Sequence, residues 1–81
     1  SLGVVPDYLY DGSGMRIDGV TEGKPAAAAG MAKGDIVTKL GDSTIVDMMS
    51  YMRALGAFEP GDETKVEFKR GEELKSANIK F

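Results

Sequence analysis

Gly23-Lys-Pro25-Ala-Ala-Ala-Ala29-Gly30-Met31-Ala-Lys33-Gly34-Asp35-Ile36-Val37 decides the fold of this chain. Proline near the start of a four-alanine run and glycine just past its end are the asymmetry of a short helix. Proline lacks only an N–H that the first turn leaves free, and glycine accepts the backbone conformation that ends the helix. A helix of about five residues cannot stand alone, so packing must hold it. Lys33-Gly34-Asp35 then turns the chain tightly into Ile36-Val-Thr-Lys-Leu40, an apolar run of strand length.

Toward the C-terminus, Gly41-Asp42 turns the chain toward Thr44-Ile45. Asp47 is an N-cap for a second helix over Met48 to Leu55, with Gly56 at the position that usually takes a left-handed conformation. On a helical wheel Tyr51, Leu55, Met48, Met52 and Met49 sweep an apolar arc of about 160°, opposite Ser50, Arg53 and Ala54. Glu59-Pro-Gly-Asp62 is a turn, Thr64-Lys-Val-Glu-Phe-Lys69 alternates as a half-buried strand does, and Arg70-Gly-Glu-Glu73 reads as a hairpin. Lys75-Ser-Ala-Asn-Ile-Lys-Phe81 alternates again. Toward the N-terminus, Asp11-Gly-Ser-Gly14 is a loop, Met15-Arg-Ile-Asp18 alternates, and Gly19 before Val20 marks a bulge or bend.

The 81 residues suffice for one domain with one modest core, and the chain reads as a piece of a longer protein. Thirteen acidic and ten basic residues are interspersed, for a net charge of −3, whereas a nucleic-acid site needs a clustered basic face. There is no Cys and no His, which excludes disulfide scaffolds, thiol catalysis, Cys/His zinc sites and the Ser-His-Asp triad together. No apolar run approaches the roughly 18 residues that a spanning helix requires. Asp7, Asp11 and Asp18 lack the spacing of a calcium loop. Gly12-Ser13-Gly14 lacks the Lys-Ser/Thr of a phosphate loop, and nothing positions a Ser-Lys pair.

The run from Gly23 through Pro25, Ala26, Ala29, Gly30, Met31, Gly34 and Asp35 to Val37, with Gly41 beyond it, is similar to the G-x-P-A-x-x-A-G-[LM]-x-x-G-D-x-[IV] signature of bacterial PDZ domains. The resemblance continues through the helix at Met48 to Leu55, Pro60-Gly-Asp62 and Phe68-Lys-Arg-Gly71, nearly the whole chain. It implies a mainly β fold with two short helices (α+β), a partly open barrel or sandwich in circularly permuted form. In that form the C-terminal run Lys75 to Phe81 is expected to pair with the opening strand. Ser1-Leu2-Gly3-Val4 then resembles the loop whose backbone N–H groups hold a ligand's terminal carboxylate, with no Lys or Arg in the loop itself. The peptide would add as a strand between residues 2–8 and the helix 48–55, on Leu2, Gly3, Val4, Val5, Met48, Tyr51, Met52 and Leu55. Met48, Tyr51 and Leu55 are expected toward the groove and Met49 and Met52 toward the sheet. With no His at the start of this helix, selection of a ligand Ser or Thr hydroxyl is not expected.

Leu2-Gly-Val-Val-Pro-Asp-Tyr8 with Gly14-Met-Arg-Ile-Asp-Gly-Val20 resembles the C-terminal PDZ module of secreted bacterial zinc aminopeptidases. HtrA proteases and carboxyl-terminal processing proteases are the alternative hosts. Either parent implies a non-catalytic module without a cofactor, in a periplasmic or secreted protein. Its partners would be polypeptide C-termini or extended segments and the parent protease domain. Pro6 departs from the pattern: it lies on the edge that should receive the peptide and has no N–H to give. Proline also blunts strand edges against pairing, so a module that docks on its parent without capturing chain ends is the competing expectation.

Overall fold

The computed structural model describes all 81 residues as six strands and two helices. In chain order they are β1 (Val4–Pro6), β2 (Met15–Val20), α1 (Pro25–Ala28), β3 (Ile36–Leu40), β4 (Ser43–Thr44), α2 (Met48–Leu55), β5 (Glu63–Arg70) and β6 (Glu73–Lys80). The strands form an antiparallel sheet in the order β1-β2-β3-β5-β6, with β4 paired to β3. Alternation along the strands puts Met15 and Ile17 of β2 and Val66 and Phe68 of β5 on the buried face, and a β-bulge between Val37 and Lys39 brings Val37 and Leu40 of β3, three residues apart, onto it as well. Leu2, Ala26, Met31, Ile45, Tyr51, Ala54 and Ile79 complete one core cluster.

Both helices form where the sequence places them, but Gly56 ends α2 in the right-handed region, with φ −64°, and not in the left-handed one. Asp47 Oδ1 accepts from Ser50 N–H at 2.8 Å, and Ser50 Oγ accepts in return from Asp47 N–H at 3.1 Å, a reciprocal capping box. The Ser50 backbone N–H, and then its side chain, hold the Asp47 carboxyl below its usual value. Around α1, Asp35 is the fixed point. Its carboxylate, 1% exposed, takes Ala32 N–H at 2.8 Å and a two-pronged bond from Arg70, Nε to Oδ1 and Nη2 to Oδ2, both at 2.8 Å. Arg70 Nη2 also donates to Gly30 O at 2.9 Å, joining the end of β5 to the helix–strand turn. Burial alone would raise the Asp35 carboxyl; the Arg70 hydrogen bonds and the Ala32 N–H outweigh it and hold the group below its usual value.

The expected pairing of the C-terminal run with the opening strand does not occur. β6 pairs with β5 over eight residue pairs, from Glu63 opposite Lys80 to Arg70 opposite Glu73. The reason is local: Gly71, with φ 62°, sits at the first central position of a two-residue turn, the hairpin geometry that matches strand twist. β1 takes β2 as its partner instead, and the bulge expected near Gly19 is present, since Val5 opposes Gly19 while Pro6 opposes Ile17. β6 still contributes to the core through Ile79, and Phe81 stacks on Phe58 with ring centroids 5.0 Å apart.

Candidate functional site: a cleft between β1 and α2

β1 has one paired edge and one open edge, and hydrogen bonds show which backbone groups face which. Thr21 N–H donates to Gly3 O at 2.8 Å and Asp7 N–H to Arg16 O at 2.9 Å, so the odd-numbered residues turn their polar groups toward β2. Val4 and Pro6 therefore turn theirs outward. Before β1, Gly3 has φ 80° and the chain curls, with Leu2 O accepting from Ala26 N–H at 2.9 Å. Ser1 Oγ accepts from Gly3 N–H at 3.3 Å, a long contact.

α2 lies along this open edge. Two cavities mark the ends of the cleft. One, of about 240 Å³, is lined by Ser1, Leu55 and Phe58 among others, and the second, of about 250 Å³, by Asp7, Tyr8, Val46 and Met48 among others. The C-terminal end of α2 thus stands beside the loop and its N-terminal end beside the far end of β1. Leu55 and Met48 occupy neighbouring directions on the helical wheel and each lines one of the cavities, with the exposed Met52 next to them on the wheel.

The far end is ordered by polar contacts. Arg16 donates to Asp7 Oδ2 through Nε at 2.9 Å and Nη2 at 2.6 Å, and its guanidinium lies 4.7 Å from the centre of the Tyr10 ring. The Arg16 hydrogen bonds, with the Leu9 N–H, hold the Asp7 carboxyl below its usual value. Gly14 N–H donates to Val46 O at 3.0 Å and pins the loop to the approach to α2. Asp7 is thus paired with Arg16, and Asp18 lies 3.8 Å from Lys33.

Of the residues predicted from sequence, Met48 lines one cavity and Leu55 the other, while Leu2, Gly3, Val4 and Met52 line neither. Leu2 and Gly3 are buried and Val4 packs against the core. Two placements differ. Tyr51 is 2% exposed and belongs to the core with Ala54, because the sheet takes the 51/54 side of α2; burial pushes its hydroxyl up to about 12. Met49 and Met52, expected against the sheet, are 67% and 57% exposed for the same reason. Val5 is 48% exposed, since alternation turns its side chain away from the core.

One residue at the site is absent from the sequence prediction. The Lys24 stem lies against Gly3 so closely that a Cβ built on Gly3 would fall 2.2 Å from Lys24 Cβ. No spacing rule connects residues 3 and 24; the Leu2–Ala26 hydrogen bond brings them together.

An edge strand opened beside a helix, below a glycine-curled loop, is the architecture of a peptide-recognition domain. The family model described as PDZ domain matches residues 1–81, and the chain belongs to this family of non-catalytic modules. Among curated proteins it is 34% identical over 68 residues to the serine protease Do-like HtrA of Lactococcus lactis subsp. cremoris (strain MG1363). That match takes in 84% of this chain and 17% of the protease. The same protein of L. lactis subsp. lactis (strain IL1403) is 33% identical over the same coverage, so the chain spans about a sixth of these relatives. Among solved structures it is similar to the HtrA-type protease AlgW with a decapeptide (TM-score 0.86, 20% identity, 99% of this chain, 28% of that one). The HtrA3 PDZ domain bound to the phage-derived ligand FGRWV gives 0.80 at 20% identity, over 99% of this chain and 83% of that one. An aminopeptidase N family protein from Idiomarina loihiensis gives 0.85 at 22% identity, over 98% and 13%. The likeness to the aminopeptidase is one of fold alone. The sequence relatives are HtrA serine proteases, which fits the alternative parent and not the zinc aminopeptidase.

Proposed function

We propose that this domain recognises polypeptide C-termini or extended segments for an HtrA-type protease, by adding the ligand as a strand to β1 in the cleft against α2. The observation that carries this reading is the outward-facing backbone of β1 opposite the Met48, Met52 and Leu55 flank, with the Gly3 curl at one end. Main-chain hydrogen bonds would supply affinity and the apolar flank would receive alternate ligand side chains. The curled loop would take the terminal carboxylate, and Leu55 and Phe58 the last side chain. Exposed thioethers give the flank a surface that re-packs around different side chains. An HtrA-type parent carries with it a periplasmic or secreted location.

The test is a calorimetric titration with the pentapeptide FGRWV in free-acid and amidated forms. The free acid binds and the amide binds far more weakly, and Val4→Asp, which puts a charge beside the ligand terminus, abolishes both. Equal binding of acid and amide overturns carboxylate capture. A second reading rests on Pro6, whose missing N–H blunts the open edge: the domain docks on the parent protease domain instead. That reading takes over if neither peptide binds and the isolated protease domain does.

A further inference from the structure

We propose that the methionines of α2 form an oxidative modification site, at which conversion of Met48 and Met52 to the sulfoxide weakens ligand binding while the fold persists. The inference rests on the peptide-binding reading above. The chain holds no Cys, so no thiol competes with its soft, polarizable thioethers for an electrophilic oxidant. Three of its five methionines fall within the eight residues of α2. Met49 and Met52 are exposed, and Met48 is half-buried at the wall of the cavity that Tyr8 and Val46 share. Met15 and Met31 are core residues, each 3% exposed. Oxidants in solvent therefore reach the thioethers of α2 and are kept from the other two.

The oxidant is a peroxide, either hydrogen peroxide or an organic hydroperoxide. The thioether sulfur attacks one peroxide oxygen, a sulfur–oxygen bond forms as the oxygen–oxygen bond breaks, and the proton on the transferred oxygen moves to the departing one. Sulfur loses two electrons, the peroxide gains them, and water or an alcohol leaves. A pliable apolar side chain becomes a polar one, which is costly to set against an apolar ligand surface. At 3.6 residues per turn Met48 and Met52 lie about 40° apart beside Leu55, while Met49 lies about 60° beyond Met52, off that flank. A ligand side chain laid on the flank thus meets two of the sulfoxides and not the third. Neither anchor of α2 is a methionine, since Tyr51 and Ala54 enter the core and Asp47 and Ser50 cap the first turn. The helix keeps its place while the chemistry of its outer flank changes.

In the experiment the domain is treated with hydrogen peroxide, its sulfoxides are located by mass spectrometry of proteolytic fragments, and the free acid of FGRWV is titrated by calorimetry before and after. Met48, Met49 and Met52 are expected to oxidise before Met15 and Met31, with the thermal melt still cooperative. Affinity is expected to fall about three- to tenfold. In Met49→Leu the loss persists, and in the double variant Met48→Leu with Met52→Leu peroxide no longer changes the affinity. Core methionines that react as fast as those of α2 overturn the confinement of the site to the helix. An affinity that is unchanged with sulfoxides mapped at Met48 and Met52, or a loss that persists in the double variant, overturns the inference while peptide binding stands. If the untreated domain does not bind the peptide, the peptide-binding reading fails and the effect of oxidation on it fails as well.

Discussion

At Pro6 the backbone geometry and the chemistry of one residue conflict. The position faces the open edge, where a peptide laid on β1 would offer a carbonyl, and proline has no hydrogen to meet it. One missing bond is worth roughly 0.5 to 1.5 kcal/mol, about two- to tenfold in affinity. Pro6→Val restores the N–H with a residue that suits a strand, so binding of a free-acid peptide should tighten by that factor in calorimetry. An unchanged affinity would mean that the peptide enters in another register. The conflict itself was legible from sequence, because strand parity follows from Gly3 and Val4 alone. Lys24 was not: its place beside Gly3 depends on α1 folding back onto the loop, a contact between residues that share no periodicity.

Among the elements, those with local signals were read correctly. Asp47 caps α2, Pro25 opens α1, and Gly71 turns the hairpin where punctuation places them, while the return bond from Ser50 is seen only in the structure. What local signals leave open is the partner of an element and not the element itself. The apolar arc of α2 is wider than the sheet can cover, and Ala54, small enough to be assigned to the polar side, is what the sheet accepts beside Tyr51. The hairpin at Gly71 already implies β5 as the neighbour of β6, where the family resemblance puts the opening strand. The importance of β6 to the core survives that correction. Removing residues 75–81 strips Ile79 from the centre and Phe81 from Phe58. Losses of this kind cost about 2 to 5 kcal/mol for each large buried side chain, against a total of about 5 to 15 kcal/mol for a domain. The truncated chain should show no cooperative thermal melt by circular dichroism; a melt near the full-length temperature would contradict this.

For the whole molecule, Asp35 couples helix, turn and sheet, and its ionisation should set the acid limit of stability. The folded carboxyl sits below the value of about 3.9 that it has in an unfolded chain. As pH falls, the unfolded chain therefore takes up the proton first, so this stabilisation is full above about pH 4 to 5 and is lost as pH drops through the folded value. Denaturant melts between pH 7 and pH 2 should show the loss. Asp35→Asn should be less stable at neutral pH, with a shallower decline in acid. The sheet order has one further consequence. It leaves two terminal edges: β1, shielded within the cleft, and β6, whose outer side no strand covers along its eight residues. Lys75 and Lys80, with Glu73, punctuate that second edge with charges that discourage another copy from pairing there. A strand captured at β1 would thus lengthen the sheet by one and leave the opposite margin closed to growth, so the module can use strand addition for recognition without becoming the seed of a fibre.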